Sequence, residues 1–317
     1  MITRDIQVAA QALTEGEVVA IPTETVYGLA ACINNPSAIR KIYEIKNRPL
    51  TNPLIVHTDS IGSVEKLVTH FPPMAKKLAE HCWPGPLTMI LPKSNRVSSL
   101  ITSGSENVAI RIPKHPVALQ LLKKVEIPLA APSANPFGSV SPTSALHVNH
   151  YFGKQLKYVL DGGPCEEGIE STIVGFDDTA VIVYRLGSVS FETLKELVPA
   201  VKLKNYDPSN HAKMPGMHLK HYAPGTPFIV TNSVEQQLQL VENMKVGLLV
   251  YSQALEHPLV KHIEILSRNG NLKEAASNLY AAMHRLDQSG VDIIIAEELP
   301  EAGHGAVIND RLRRASS

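Results

Sequence analysis

Short apolar runs of strand length alternate with helical patterns along most of this chain. The runs "VVAIP", "PLIVH", "PLTMILP" and "IPLAAPS" are bounded by proline, glycine or polar residues, as buried strands often are. Elsewhere apolar residues recur at helical spacing, as at Ile6, Ala9, Ala10 and Leu13. This alternation predicts an α/β protein whose sheet is covered on its faces by helices.

The regular pattern stops at about residue 199 and resumes at about residue 227. The stretch between is rich in proline and shows no regular period, so it is either a linker or a functional lid. A compact pattern with predicted helices at 234–244 and 272–287 follows it. We therefore predict a first domain over 1–198, a linker over 199–226 and a smaller α/β domain over 227–317.

The composition limits the classes of function. With 30 basic and 30 acidic side chains, the chain is not expected to be held on nucleic acid mainly by bulk charge, although a local basic groove is compatible with the sequence. Cys32, Cys82 and Cys165 form no CxxC pair, which argues against a disulfide framework or a zinc site. Without an apolar signal-peptide core, or an apolar run near the ~20 residues that cross a bilayer, we expect a cytoplasmic protein with no membrane contact.

Residues 22–30, "PTETVYGLA", place three short polar side chains directly after a predicted strand. Ligands of open α/β sheets collect at the carboxyl ends of strands, which makes Thr23, Glu24 and Thr25 candidate binding residues. An ordinary strand-to-helix turn with a Thr/Glu capping pair explains the same pattern equally well. The sequence leaves both interpretations open.

Residues 41–57, "KIYEIKNRPLTNPLIVH", place two cations where a helix gives way to a strand. If "KNRP" is extended, as Pro49 favours, Lys46 and Arg48 point to the same side. Two cations beside the Asn52 amide suit a polyphosphate, because arginine supplies a bidentate fork and lysine a mobile charge. The alternative is a solvated helix end whose cations complement the helix dipole.

Residues 131–144, "APSANPFGSVSPTS", follow a predicted strand and lead into a predicted helix. Hydroxyl groups and free N–H groups at a helix N-terminus can bind phosphate. A capped turn would account for Ser141 but would leave Ser133 and Asn135 at the strand end unexplained. All three are therefore candidate binding residues.

Two arginines are flanked by apolar residues in predicted strands, Arg111 in "VAIRIP" and Arg185 in "VYRLG". Each needs a partner, since burying a lone charge costs several kcal/mol. The partner is Glu24, Glu170 or an anionic ligand, and a structural ion pair is the commoner outcome for any one arginine. Two such arginines favour a ligand with carboxylate and phosphate groups.

No metal site is predicted from the sequence. The pairs His147/His150 and His218/His221 have an i,i+3 spacing, but no third ligand of fitting context accompanies them. No complete phosphate-binding glycine motif is present either.

A set of short motifs, in this order along the chain, resembles one known family. The motifs are "PTETVYGL", "KNRPLTNPLIVH", "WPGPLT", "VAIRIP", "APSAN", "SPT", "DGG", "ESTIV" and "HYAPG". Together they resemble the L-threonylcarbamoyladenylate synthase family in its two-domain form, a YrdC-like catalytic domain followed by a smaller Rossmann-like domain. The resemblance covers nearly the whole chain and implies an open, twisted, mixed sheet with helices. Leu186-Gly187, where the family usually has Pro-Gly, and Asn107, where threonine is frequent, depart from the pattern.

The resemblance implies a nucleotidyltransferase that converts L-threonine, bicarbonate and ATP to L-threonylcarbamoyl-AMP and pyrophosphate. Downstream transfer proteins would use the product to make N6-threonylcarbamoyladenosine in tRNAs that read ANN codons. Mg²⁺ is expected on the phosphates, held chiefly by the nucleotide because no carboxylate cluster marks a site. Residues 199–226 are expected to close over ATP as a lid.

The resemblance also implies specific binding residues. Lys46 and Arg48 would be catalytic and hold the phosphates, and Arg111 would hold the threonine carboxylate. The implied threonine contacts are Thr25, His57, Arg111, the main chain near Ala131, and Ser171. The implied ATP contacts are Lys46, Arg48, Asn52, Asn107, Ser133, Asn135, Ser141, Arg185 and Tyr222. His57 is a candidate general base only because the usual pKa range of histidine suits that task.

Two other functions compete with this one. A carbamoyl-transferring maturation factor has a similar nucleotide domain, but it would carry CxxC zinc fingers and an acylphosphatase module that this sequence lacks. A double-stranded-RNA-binding or ribosome-assembly factor is the main alternative. The neutral charge disfavours it, because RNA affinity based on phosphate contacts needs a clustered basic face. Weak RNA contact remains compatible with the sequence.

Overall fold

The computed structural model describes residues 1–204 and 221–316, which form two compact units. Of these residues, the first unit takes Met1–Phe137, Pro142–Glu166 and 170–204, and the second takes Gly138–Ser141, Glu167–Ile169 and 221–316. The second unit thus includes two short segments from within the predicted first domain. The predicted linker lies mostly outside the described residues, so the domain limits and the lid remain predictions.

The first unit contains helices and strands in alternation. Its helices are α1 (Ile6–Thr14), α2 (Pro36–Lys46), α3 (Ile61–Leu67), α4 (Pro73–Cys82), α5 (Ser99–Thr102), α6 (Pro116–Val125), α7 (Ala145–Phe152) and α8 (Phe191–Leu197). Its strands are β1 (Ile2–Thr3), β2 (Val19–Ile21), β3 (Gly28–Cys32), β4 (Ile55–His57), β5 (Leu87–Pro92), β6 (Asn107–Arg111), β7 (Leu129–Ala130), β8 (Tyr158–Leu160), β9 (Thr172–Phe176), β10 (Val181–Arg185) and β11 (Val201–Leu203).

These strands form one sheet in the order β1-β8-β2-β3-β7-β4-β6-β5-β9-β10-β11. The pairs β4/β6, β5/β9 and β10/β11 are parallel, whereas β2/β3, β5/β6 and β9/β10 are antiparallel. Because β1 and β11 stand at opposite ends of this order, the sheet is open over the described residues. The predicted open, mixed α/β sheet is confirmed. Strand β11 also shows that the sheet continues into the first residues of the predicted linker.

Successive residues of the inner strands enter different apolar cores. Leu29 and Ala31 of β3 pack in one cluster, whereas Ala30 and Cys32 pack in another. Helix α1 fills the second cluster through residues such as Leu13. Burial on both faces explains why these strands appear in the sequence as continuous apolar runs.

Side-chain caps fix several helix boundaries. Asn35 Oδ1 accepts the Ala38 N–H at 3.0 Å and starts α2, as the sequence predicts. The Ser144 hydroxyl accepts the His147 N–H at 3.3 Å and starts α7. The Ser190 hydroxyl caps α8 in the same way.

The second unit forms a smaller parallel sheet. Its strands are β12 (Phe228–Thr231), β13 (Val246–Val250), β14 (Val260–Ile265) and β15 (Ile293–Glu297), in the order β12-β15-β13-β14. Its helices are α9 (Val234–Gln239), α10 (Leu272–Asp287) and α11 (His304–Ala315). Helix α10 covers the predicted range. Helix α9 ends before residue 244, and Asn243 has a left-handed backbone (φ 54°) that a right-handed helix cannot include.

No helix among the described residues is long and apolar enough to cross a membrane.

Candidate active site

The strand register brings several predicted threonine contacts to one face of the large sheet. His57 of β4 lies opposite Arg111 of β6, and Ile55 lies opposite Ala109. The Ala131 N–H donates to the Ile55 carbonyl at 2.9 Å, which places the end of β7 beside β4. Cross-strand partners share a face of the sheet, and so do residues two apart along a strand. His57, Arg111 and the Ala131 main chain therefore lie together.

The buried Arg111 guanidinium is held by three oxygens. Nη2 lies 2.6 Å from Glu24 Oε1, Nη1 donates to Thr25 Oγ1 at 2.9 Å, and Nε donates to the Gly85 carbonyl at 3.1 Å. Glu24 is buried as well, so the two charges form an internal ion pair. A guanidinium has five N–H groups, and these contacts engage three of them. Among the described residues, the guanidinium forms no further hydrogen bond or ion pair, so its remaining N–H groups can bind a carboxylate.

Ser171 and Arg185 lie together at the start of β9. The Ser171 and Thr88 hydroxyls are 2.7 Å apart, and Arg185 Nη2 donates to the Ser171 carbonyl at 2.8 Å. Thr88 shares its face of β5 with Ile90, which lies opposite Ala109. Ser171 therefore lies beside the sheet face that carries Arg111.

Lys46 is the last residue of α2, so the condition that "KNRP" is extended is not met. Asn47 takes the left-handed conformation (φ 50°) and caps the helix, which asparagine tolerates better than most residues. The Lys46 side chain is only 1% exposed, and its Nζ donates to the carbonyls of Ser133 at 2.6 Å and Asn135 at 2.5 Å. The lysine charge is therefore fixed in place, not mobile as expected.

Arg48 is also buried and lies against Asn52. Its Nη2 donates to Asn52 Oδ1 at 2.6 Å and to the Pro53 carbonyl at 2.8 Å. Burial, together with the nearby Arg48 charge, lowers the pKa of Lys46 well below its usual value. An anion bound here would offset the mutual repulsion of the two cations.

The 22–30 turn, which runs into β3, adjoins two groups of residues. One is the Lys46 cluster, meaning Lys46 and its carbonyl partners, and the other is the Arg111 cluster, meaning Arg111 and its partners. Its Gly28 forms an antiparallel bridge with Ser133, whose carbonyl accepts from Lys46. Its Thr25 accepts from Arg111. A side chain at Gly28 would approach the Ala131 Cβ to 3.2 Å, so glycine permits the close packing of the two segments. One short turn thus carries or adjoins both groups of predicted residues.

Asn107 lies at the opposite end of β6 from Arg111, on the same face. Four residues of strand separate the two by about 13 Å. Asn107 lines a cavity of about 380 Å³ together with Ile90, Gly175 and Tyr184. The sheet face between Arg111 and this cavity is formed by a small apolar cluster that contains Ile55, Ile90, Ala109 and Ile173.

Ser141 and Tyr222 belong to the second unit. The Ser141 carbonyl lies 3.1 Å from His284 Nε2, and both residues are buried. Tyr222 has a left-handed backbone (φ 67°), and its ring stacks on that of Tyr280.

Two family models together match nearly the whole chain. One is described as telomere recombination, named for Sua5, YciO and YrdC, and matches residues 11–187; the other is described as the threonylcarbamoyl-AMP synthase C-terminal domain and matches residues 189–317. This chain belongs to the threonylcarbamoyl-AMP synthase family. The predicted family is therefore confirmed.

Curated and solved members of the synthase family are similar to the chain over almost its full length. The threonylcarbamoyl-AMP synthase of Pyrococcus abyssi is 38% identical, over 98% of this chain and 94% of its own. That of Bacillus subtilis is 39% identical, over 99% of this chain and 94% of its own. A crystal structure of P. abyssi Sua5 complexed with L-threonine matches with a TM-score of 0.92 at 37% identity, covering 100% of this chain and 97% of that one.

His57 is poorly suited to be the general base of the synthase reaction. Its pKa is lowered to about 3, mainly by burial and secondly by the Arg111 charge. A hydrogen bond with the Ile55 main chain raises the pKa, but by less. Its ring is neutral at physiological pH but only weakly basic. The expectation based on the usual pKa range of histidine is wrong, because that range describes a solvated ring.

Several buried polar atoms of the candidate site have no hydrogen-bond partner among the described residues. They are Glu24 Oε2, Asn52 Nδ2 and His57 Nδ1. An unpaired buried polar group costs roughly 1–3 kcal/mol, so such groups mark places where a ligand can supply the missing contact.

Thr88, whose hydroxyl lies 2.7 Å from that of Ser171, was not singled out from the sequence. Glu24 was predicted both as a candidate binding residue and as a possible partner of Arg111, whereas Thr88 was only part of the motif "WPGPLT". Both residues lie in polar motifs beside apolar strands, which is the sequence pattern that could have indicated a binding role. The side chains that they contact become known only from the register of the strands.

The described residues contain no group of three or more acidic, histidine or cysteine side chains that could hold a metal ion. Of the two histidine pairs noted above, His218 lies outside the described residues. His147 Nδ1 instead accepts the Thr143 N–H at 3.2 Å, a contact at the N-terminus of α7.

Proposed function

We infer that this chain is an L-threonylcarbamoyladenylate synthase, which converts L-threonine, bicarbonate and ATP to L-threonylcarbamoyl-AMP and pyrophosphate. The membership of the family and the near-full-length similarity to two curated synthases support this function. The observation that carries it is the convergence of two buried cationic clusters, around Arg111 and around Lys46 and Arg48, on the 22–30 turn.

We propose that threonine binds at the Arg111 cluster. The two remaining N–H groups of Arg111 would grip its carboxylate as a fork, while Thr25 and Glu24 hold the guanidinium from the other side. The Ala131 main chain and the Ser171 hydroxyl would complete the pocket. The neutral His57 ring, with Nδ1 unpaired among the described residues, would hydrogen-bond the ligand rather than take up a proton.

ATP is proposed to bind along the same sheet face. Lys46 and Arg48 would contact its phosphates with the help of Asn52, Ser133 and Asn135. The other proposed ATP contacts are Asn107, Ser141, Arg185 and Tyr222. The apolar cluster between Arg111 and Asn107 would face the nucleotide.

The proposed chemistry relies on positioning and charge. With carbon dioxide, the threonine amine forms a carbamate and releases one proton. With bicarbonate, it forms the same carbamate, and the amine proton leaves with the hydroxyl group of bicarbonate as water. A carbamate oxygen then attacks the α-phosphorus, and the bond to the pyrophosphate oxygen breaks. Lys46 and Arg48 would stabilise the negative charge that develops on phosphate oxygens, as preorganised cations can in a site that excludes water.

Mg²⁺ is proposed to arrive with the nucleotide. The described residues do not fit a protein-built magnesium cage, since they contain no cluster of metal-binding side chains. The ion would neutralise phosphate charge when bound. The product would pass to transfer proteins that act on tRNA.

The test is pyrophosphate release from ATP and bicarbonate with L-threonine, with L-serine and without amino acid. We expect release to depend on an amino acid and to be much faster with threonine than with serine. Threonine-independent release would contradict the proposed function. A salt-sensitive, nanomolar shift of double-stranded RNA without ATP turnover would favour the alternative function instead.

A further inference from the structure

One face of helix α10 carries four residues that lie close to segments distant in the sequence. Ser277, Tyr280, His284 and Asp287 follow one another at spacings of three and four residues, so they form a single stripe. We define these four residues as the α10 stripe. All of its contacts described below lie within the second unit.

The middle of the α10 stripe contacts two residues that the proposed function assigns to ATP. His284 Nε2 lies 3.1 Å from the Ser141 carbonyl, which can only accept, so this nitrogen carries the proton and donates. The Tyr280 ring stacks on the Tyr222 ring with centroids 5.6 Å apart and an interplanar angle of 26°. All four residues are buried.

Further contacts fix the segment around Tyr222. The Ala223 N–H donates to the Gly138 carbonyl at 2.8 Å, and Ser139 forms a parallel bridge with Ala223. Asp287 accepts the N–H groups of Gly225 at 3.1 Å and Thr226 at 2.8 Å. The segments 138–141 and 221–226 are therefore joined to each other as well as to α10.

Helix α11 contributes a buried cation to the same arrangement. The Arg311 side chain is fully buried, and its guanidinium carbon lies 5.1 Å from the centroid of the Tyr222 ring. Its Nη1 lies 2.5 Å from Asp310 Oδ2. The Tyr222 ring thus lies close to both the Tyr280 ring and a charged group.

The backbone of Tyr222 needs such support. Its φ of 67° lies in the left-handed region, which is costly for a bulky L residue and persists only where the surrounding contacts fix it. The contacts of its ring with Tyr280 and Arg311, and the hydrogen bonds of the flanking Ala223 and Gly225, meet this requirement.

We propose that Tyr280 and His284 of the α10 stripe are positioning residues for ATP, which act by fixing Tyr222 and Ser141. This gives the second unit a role in the nucleotide affinity of the enzyme, and it rests on the proposed function. The threonine contacts lie in the first unit, so losing these residues should weaken ATP binding selectively.

The test uses the full-length enzyme and compares His284→Met, which cannot donate a hydrogen bond, with His284→Gln, whose amide can. Loss of one hydrogen bond that orders a binding residue should raise the KM for ATP about tenfold in His284→Met. His284→Gln should recover most of this loss. Threonine affinity, measured by calorimetry without ATP, should stay within twofold of wild type in both variants.

Tyr280→Leu provides a second, independent variant, and Arg285→Met is the matched control. Arg285 follows His284 on α10 but pairs with Glu264 at 2.7 Å on the surface, so its loss should leave both affinities unchanged.

A selective rise in the KM for ATP in Tyr280→Leu would support the proposal. Unchanged KM values in folded His284→Met and Tyr280→Leu would overturn it. So would equal losses of ATP and threonine affinity, which indicate general destabilisation. A wild-type enzyme without threonine-dependent turnover would instead reject the proposed function.

Discussion

At the scale of single residues, the site is defined by charges that are buried and held in fixed positions. Arg111 and Glu24 form an internal ion pair, and Lys46 is fixed between two main-chain carbonyls. Even when it is paired, a buried charge contributes little net stability, so these groups favour a role in ligand binding. The predictions at this scale concern what each charge does.

Lys46→Met should lower kcat by two or more orders of magnitude, because it removes a preorganised charge from the proposed phosphate site. Arg111→Lys should mainly raise the KM for threonine, since lysine keeps the charge but loses the bidentate fork. Steady-state kinetics with each substrate varied in turn distinguishes the two effects.

Lys41→Met is the control for Lys46→Met. Lys41 lies on the same helix in a partly exposed pair with Glu17, so its loss should leave the kinetics as in wild type. Equal changes in kcat and KM in both site variants would contradict this division of roles.

His57 should make the stability of the protein sensitive to acid. Its folded pKa of about 3 lies below the usual value, so the unfolded chain binds a proton near pH 6.5 that the folded chain does not. Stability from this group is therefore present above about pH 6.5 and falls as the pH decreases towards 3. Relative to His57→Gln, the wild-type free energy of unfolding should fall by about 1.4 kcal/mol per pH unit between pH 6 and 4. Urea denaturation of the wild type and of His57→Gln at several pH values measures both free energies of unfolding. If their difference did not change with pH, the prediction would be refuted.

At the scale of elements, the segment that follows β10 packs closely against the residues that precede β9. The carbonyl oxygen of Glu170 would lie 2.3 Å, and the carbonyl carbon of Ser171 2.5 Å, from a Cβ added at Gly187. Glycine is thus required here by the close approach of two main chains, not by its φ. This approach also brings Arg185 to the Ser171 carbonyl.

Gly187→Ala should therefore displace Ser171 and weaken threonine binding. We expect a loss of about 1–3 kcal/mol in the free energy of unfolding, as for other overpacked sites, and a higher KM for threonine. Gly62→Ala is the matched control, because a Cβ at Gly62 in α3 meets nothing within 4 Å. The Gly62→Ala change should leave activity unaltered and add up to about 1 kcal/mol of stability through helix propensity.

If Gly187→Ala showed the same KM for threonine as wild type, the close packing at Gly187 would not position Ser171.

At the scale of the whole molecule, two α/β units share segments of one chain. Residues 138–141 and 167–169 belong to the second unit, although they lie between parts of the first. In the second of these segments, Gly168 approaches Ser277 of α10 so closely that a side chain there would lie 2.0 Å from the Ser277 carbonyl. The chain therefore crosses between the units several times, which a single linker between two domains would not predict.

The proposed lid is tested at this scale. Residues 199–226 should be cut more slowly by a protease when ATP and threonine are both present, because closure would shield the segment and protect the labile adenylate from water. Threonine alone is the control and should protect less. Equal rates of cutting with and without both substrates would show that the segment does not close.

The sequence by itself determined the family, the mixed α/β class and the list of candidate residues, because these depend on local patterns and motifs. It did not predict strands β3 and β11. It left the partner of Arg111 open between Glu24, Glu170 and a ligand, it considered an extended "KNRP", and it made His57 a candidate base only from the usual pKa range of histidine. The tertiary structure decided these points, since charge pairing, the burial that sets a pKa and the register of strands depend on residues far apart in the chain. The α10 stripe is likewise visible only once Ser141, Tyr222 and His284, more than 140 positions apart at the extremes, are brought into contact.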